Sequence, residues 1–212
     1  MHKKIQHHPY LKILGLLLFL VLQLSISSAQ GQTKEYQNLI DTAVNSRSDL
    51  FIFVKPLTRF DFTLDKSNMR NYVEGFERWS SKQLDTAMFL QIIENSKIND
   101  SSDWKESELP LALLIHDRDE DVSKKYAAKK FSQMGKAEFY SIRKRINKFN
   151  SAFAQDREIN YFTRPIFDNS HNFAVVQWDN GHSWLGGGGE TILYEFKNNT
   201  WHKAGVIEHW KY

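Results

Sequence analysis

No cysteine occurs anywhere in the 212 residues. That absence excludes disulfide staples, cysteine nucleophiles and every thiolate metal site. It also closes the route to a lipid-anchored bacterial protein, which needs a cysteine at the processing site. Stability must then come from a core, and an aromatic content of 14% is enough to build one. A membrane-spanning run is missing as well. The longest apolar stretch, Ile13 to Leu24, falls short of the about 20 residues that a span requires. It does fit the h-region of an export signal. Lys3, Lys4 and Lys12 precede it without any acid, and Ser27 and Ala29 put small residues at the −3 and −1 positions. The expected organisation is a signal peptide over residues 1–29 and a single α+β domain over residues 30–212. The product would be secreted or periplasmic, with no stable membrane anchor.

An excess of charge of one sign is also lacking. The chain has 28 Lys+Arg against 25 Asp+Glu, and Lys3, Lys4 and Lys12 of the leader account for the difference. The basic isoelectric point is therefore a property of the leader, and nucleic-acid binding, which depends on phosphate neutralisation, loses its main support. No internal repeat and no low-complexity linker divides the rest.

The apolar residues that are present fall into periodic groups. Tyr36, Leu39, Ile40, Ala43 and Val44 recur with helical spacing. Leu50 to Val54 is continuously apolar and predicts a buried strand, which Pro56 ends or places at an edge. Residues 67–97 predict two helices with a break at Ser80-Ser81. Leu111 to Ile115 predicts another strand, and residues 121–134 and 137–149 predict two more helices, the second turning Ile142, Ile146 and Phe149 inward. From Tyr161 the period changes to that of strands: 161–167, 173–178, 191–196 and 201–210, punctuated by FDNSHN, the glycine run and KNNT as turns. The fold class is α+β: an N-terminal helical half with short strands, and a C-terminal antiparallel four-stranded meander, its second strand central and the preceding helices covering one face.

The runs YFTRPIFDNSHNFAVVQW and ETILYEFKNNTWHKAGV, with GGGG between them, resemble a C-terminal pattern of secreted bacterial proteins of unknown function. LDTAMFLQIIENSK and the spacing from Trp104 to Pro110 are similar too, so the resemblance covers roughly Leu84 to Val206. It implies the fold and the exported compartment and no activity. Members often carry cysteines around the Gly-rich loop; Ser183 stands here and no cysteine does, so no thiol role carries over.

The stretch GHSWLGGGGE, Gly181 to Glu190, is the main candidate for chemistry. It is not a nucleophile elbow, because Leu185 stands where the second glycine is needed and a strand follows. It is not a phosphate loop, because no helix follows and no Gly-Lys-Ser/Thr is present. Gly186 to Gly189 read as a hairpin connection that needs positive φ or close backbone approach. Trp184 at its tip and His182, Glu190 and His202 nearby are the candidate binding residues. His202 and His209 are seven apart and face opposite sides of an unbulged strand, which disfavours a zinc site. Asp117, Asp119 and Asp121 begin like a calcium loop, but Val122 and Ala128 replace the required glycine and glutamate. No acid, base and nucleophile set survives these spacing tests. The expected function is a non-enzymatic binding or interaction module for an unidentified ligand, protein or glycan, with no cofactor, no metal and no catalytic residue assigned. The alternative is a hydrolase, zinc-dependent or not, built on the His and Glu residues around the glycines.

Overall fold

The computed structural model describes residues 35–47, 50–57, 64–98, 102–128, 136–181 and 186–211. The expected signal peptide lies outside the described residues. The chain divides into two compact units, Met1–Asn38 and Leu39–Tyr212. Of the first, residues 35–38 are described and are helical; the sheet and its packed helices belong to the second. Helix α1 takes in residues 35–43 and is followed by a short 3-10 turn, Asn45–Arg47. Among the described residues no helix is long and apolar enough to cross a membrane.

Strands β1 (Phe51–Phe53), β2 (Leu113–Ile115), β3 (Ile159–Phe162), β4 (Ile166–Phe167), β5 (Phe173–Gly181), β6 (Gly187–Lys197) and β7 (Thr200–Lys211) form one seven-stranded sheet. The order is β2-β1-β3-β5-β6-β7, with β4 also paired to β5. The α+β class holds, but the sheet is mixed and larger than a four-stranded meander. β1 runs parallel to β2 and to β3, and only β3/β4, β5, β6 and β7 pair antiparallel. The continuous apolar character of Leu50 to Val54 has its explanation here, since a strand inside a parallel set is buried on both faces. β5 is central in the antiparallel part, between β3/β4 and β6.

Helices α2 (Met69–Ser80) and α3 (Thr86–Ser96) separate where the serine pair predicts: Ser81 takes a left-handed φ of 52° and ends α2. Asp85 then caps α3, accepting the N–H groups of Ala87 and Met88 at 2.9 and 3.0 Å. Helix α4 (Ser123–Ala128) lies within the expected 121–134 helix but starts after Asp121 and Val122, and α5 is Lys136–Ser151.

Two apolar clusters lie on one face of the sheet. Tyr72, Phe76, Phe89, Ile92 and Ile93 of α2 and α3 pack on Ile166, Val175, Leu193 and Ile207. Ile142, Ile146 and Phe149 of α5 pack on Phe51, Leu113, Ile115 and Ile159, with Tyr161 against them. Tyr161 pairs with Asp179, which is four residues beyond Val175 on β5, so the alternation of a strand puts both clusters on the same side. The opposite face is not bare, contrary to the one-sided covering expected. Ala174 and Val176 are buried there, and the guanidinium of Arg47 lies 3.8 Å over the Trp178 ring.

Two features of the resemblance meet in one knot. Pro165 interrupts the run between β3 and β4, and Thr163 spans the gap through its N–H to the Gln177 carbonyl and its hydroxyl from the Gln177 N–H, each 2.9 Å. Arg164, 3% exposed, forms a fork on Glu108 at 2.5 and 3.2 Å, donates to the Ser102 and Asp103 carbonyls and stacks 3.9 Å over Trp104. The Arg-Pro pair and the Trp-to-Pro segment are thus partners in an ion pair whose arginine is buried and whose glutamate is half-buried. Breaking such a pair leaves an unsatisfied charge, which makes the knot structural.

Candidate functional site

The glycine run is not a loop, and its glycines are not there for positive φ. Gly187, Gly188 and Gly189 open strand β6, opposite Gly181, Asn180 and Asp179 of β5, and Gly188 and Gly189 also pair with Lys211 and Trp210 of β7. No glycine among the described residues has a positive φ. The requirement is close approach. A Cβ at Gly188 would lie 2.6 Å from the Trp210 carbonyl oxygen, and one at Gly189 would lie 2.3 Å from both the Trp178 carbonyl oxygen and Cζ2 of Trp210. The Trp210 indole lies across Gly189 and donates from Nε1 to Asp179 Oδ2 at 3.1 Å. An aromatic ring laid over a strand glycine restores the packing that the glycine gives up.

On the other side of the same strands, toward which only Gly188 of the three would carry a side chain, lies an open groove of about 350 Å³, with Trp210 also in its lining. Its floor is the backbone of Gly187 to Gly189. Trp178 and Asn180 wall it on the β5 side, and His209 and Lys211 on the β7 side. Asn180 donates from Nδ2 to Glu158 at 3.2 Å, but its buried Oδ1 has no partner. A buried acceptor without a donor is costly unless something supplies one.

Glu190 sits beside this groove, where Trp178 of β5 and His209 of β7 flank it in register. Its Oε2 is 3.4 Å from Trp178 Nε1 and 3.5 Å from Lys203 Nζ, and its Oε1 is 3.5 Å from His209 Nδ1. Burial pushes the neighbouring Tyr194 hydroxyl up to about 12; the Arg47 charge works against that shift and the Glu190 charge adds to it. Tyr194 therefore stays neutral across the physiological range.

The candidate residues separate. Glu190 is in the cluster. His202 is not: it is exposed, faces Glu195 in register and bonds to its neighbour Thr200 at 2.8 Å. His182 and Trp184 lie outside the described residues, in the segment that joins β5 to Gly186. Trp178, Asn180, His209 and Lys211 join the site without a mark in the sequence. The signal hidden from the sequence is the register of β6 against β7. It is offset at Thr191/Ile192 and again at Leu193/Tyr194. A hairpin counted back from the KNNT turn without bulges would set Ile207, not His209, opposite Glu190.

Among the described residues no three His, Asp or Glu side chains gather as a metal site needs. The aspartates that resemble a calcium loop act locally: Asp117 accepts the Asp119 N–H at 3.1 Å, and Asp121 accepts from Ser123 and Asn150. No protein-family model, no curated protein and no solved structure matches the chain.

Proposed function

We propose that the chain is an exported, soluble, non-enzymatic binding module that takes a saccharide on the glycine floor of β6. The observation that carries this reading is the groove itself: a floor without side chains, bordered by Trp178, Asn180, His209 and Lys211. Sugar hydroxyls would find acceptors and donors in Glu190, His209 and Lys211, along the wall that Trp178 and Asn180 form. Trp184 and His182, outside the described residues, are further candidate binding residues by sequence. The test is a titration of neutral oligosaccharides followed at the backbone amides of Gly187 to Gly189. Saturable shifts are expected, with a Kd on the order of 1 mM or tighter, lost in Asn180→Ala. Unmoved glycine amides across the panel would sink the reading.

Export rests on the charged, apolar and small-residue pattern of residues 1–29. The secreted product is expected to begin at Gln30 by mass spectrometry; a product that retains Lys3 would make the segment an anchor.

One observation favours the second reading, a hydrolase. Glu190 Oε1 and His209 Nδ1 are 3.5 Å apart, close enough for a carboxylate to orient an imidazole base. Turnover of an ester or glycoside that Glu190→Gln abolishes, or stoichiometric zinc in the purified protein, would establish that reading in place of the binding module.

A further inference from the structure

A second cavity, of about 170 Å³, lies between the C-terminal part of α5 and strands β1 and β3. One wall is the stacked pair Phe51 and Phe149, with ring centroids 4.2 Å apart. Arg157 lines it too, and is only 8% exposed. Its Nε donates to the Ala152 carbonyl and its Nη1 to the carbonyls of Arg118 and Glu120. These bonds tie the end of α5 to the loop after β2. Nη2 is left with one long contact, 3.5 Å to the Asn150 carbonyl. A guanidinium carries five N–H donors, so Nη2 has donor capacity to spare. No carboxylate among the described residues pairs with Arg157 or with Lys148, which also lines the cavity. Carbonyl dipoles and the Phe149 ring, 4.8 Å below the guanidinium, soften the burial of this charge but do not neutralise it.

We propose that this cavity binds a small ring-bearing monocarboxylate. Its ring would lie against Phe51 and Phe149, and its carboxylate between Arg157 Nη2 and Lys148. Size and charge set the class. A cavity of about 150 Å³ accommodates a benzene ring, so this one holds a single six-membered ring and little more. Arg145 adds positive charge to the rim, while Asp156 and Glu158 add negative charge. Glu158 is already engaged by Asn180. The lining cations Arg145, Lys148 and Arg157 exceed the carboxylates Asp156 and Glu158 by one charge, which a monoanion balances and a dianion overshoots. The carboxylate itself is matched by charge-assisted bonds from a buried guanidinium. The site does not depend on the saccharide reading, because neither the glycine floor nor Glu190 takes part in it.

Benzoate titrated into the full-length processed chain tests the proposal, with the backbone amides of Phe51, Phe149 and Asn160 as reporters. Saturable shifts with a Kd of about 1 mM are expected. Benzyl alcohol has the ring without the charge, and acetate the charge without the ring; each is expected to bind at least about tenfold more weakly, a difference of about 1.4 kcal/mol. Lys148 is exposed, so Lys148→Ala keeps the fold and is expected to weaken benzoate by a similar factor. Unmoved reporters overturn the proposal. So does benzyl alcohol binding as well as benzoate, acetate binding as well as benzoate, or Lys148→Ala binding like the parent.

Discussion

A methyl group at Gly189 would have to share space with the Trp178 carbonyl oxygen and with the Trp210 ring, and one at Gly188 with the Trp210 carbonyl oxygen. Two of these three obstacles are backbone atoms of neighbouring strands, which cannot move without opening the ladder. Overpacking of this kind costs about 1–3 kcal/mol. Gly186 is different, since nothing lies within 4 Å of the Cβ it would gain. Thermal or chemical denaturation should therefore show Gly188→Ala and Gly189→Ala losing about 1–3 kcal/mol, and Gly186→Ala staying within about 0.5 kcal/mol of the parent. If all three melt alike, the close approach of β7 is not what holds these positions to glycine. A loss at Gly188 does not by itself argue against a ligand, because the side that would clash and the floor of the groove are parts of the same backbone. Binding has to be read separately, at Asn180 and at the glycine amides.

The elements show why some of this was legible and some was not. Apolar spacing located α2, α3 and α5 because each turns a stripe toward the sheet, and the serine break and the Asn198-Asn199 turn declare themselves by chemistry. Both asparagines take positive φ, at 52° and 61°, as a tight hairpin between β6 and β7 requires. Pairing between distant strands leaves no such local mark. Nothing in Phe51 to Phe53 or Leu113 to Ile115 says that they run parallel to each other and beside β3, so the four-stranded meander read from the sequence leaves out the parallel strands that extend it. The bulges of β7 are equally silent, although one has a visible cause. Helix α2 presses on β7 so closely that a Cβ at Gly75 would lie 2.2 Å from the Ile207 carbonyl oxygen, and the Ser80 hydroxyl accepts the Val206 N–H at 3.0 Å. A helix that bonds to a strand's backbone competes with the neighbouring strand for it, and the ladder slips. That slip and the second one together carry His209 to Glu190 and Trp210 to Gly189, so the candidate site depends in part on a contact made far from it in sequence. The glycine run is conspicuous in the sequence; its partners are not, because they are chosen by register.

Across the whole sheet, the two apolar clusters on the helix-covered face do not merge. Between the row of Val175 and Leu193, which belongs to one, and the row of Tyr161 and Asp179, which borders the other, runs a polar row made of Gln177, Thr191 and Glu208 on adjacent strands. Gln177 and Thr191 are buried, and Gln177 Oε1 has no partner. Glu208 has one, the Thr191 hydroxyl at 3.3 Å. Burial pushes the Glu208 carboxyl above its ordinary value of 4.5, and the Thr191 bond only partly opposes this. The folded protein therefore holds this proton more tightly than the unfolded chain does. Its contribution to stability is complete below the unfolded value and is lost as the pH rises through the higher folded value. Glutamine at this position keeps the volume, still accepts from Thr191 and never ionises. Glu208→Gln should then melt with the parent below about pH 4 and above it at pH 7, the gap opening between the two as the parent's carboxyl ionises. A parent that is the more stable of the two at pH 7 would mean that the carboxylate has a cationic partner, and that the row between the clusters is held together by charge instead of being weakened by it.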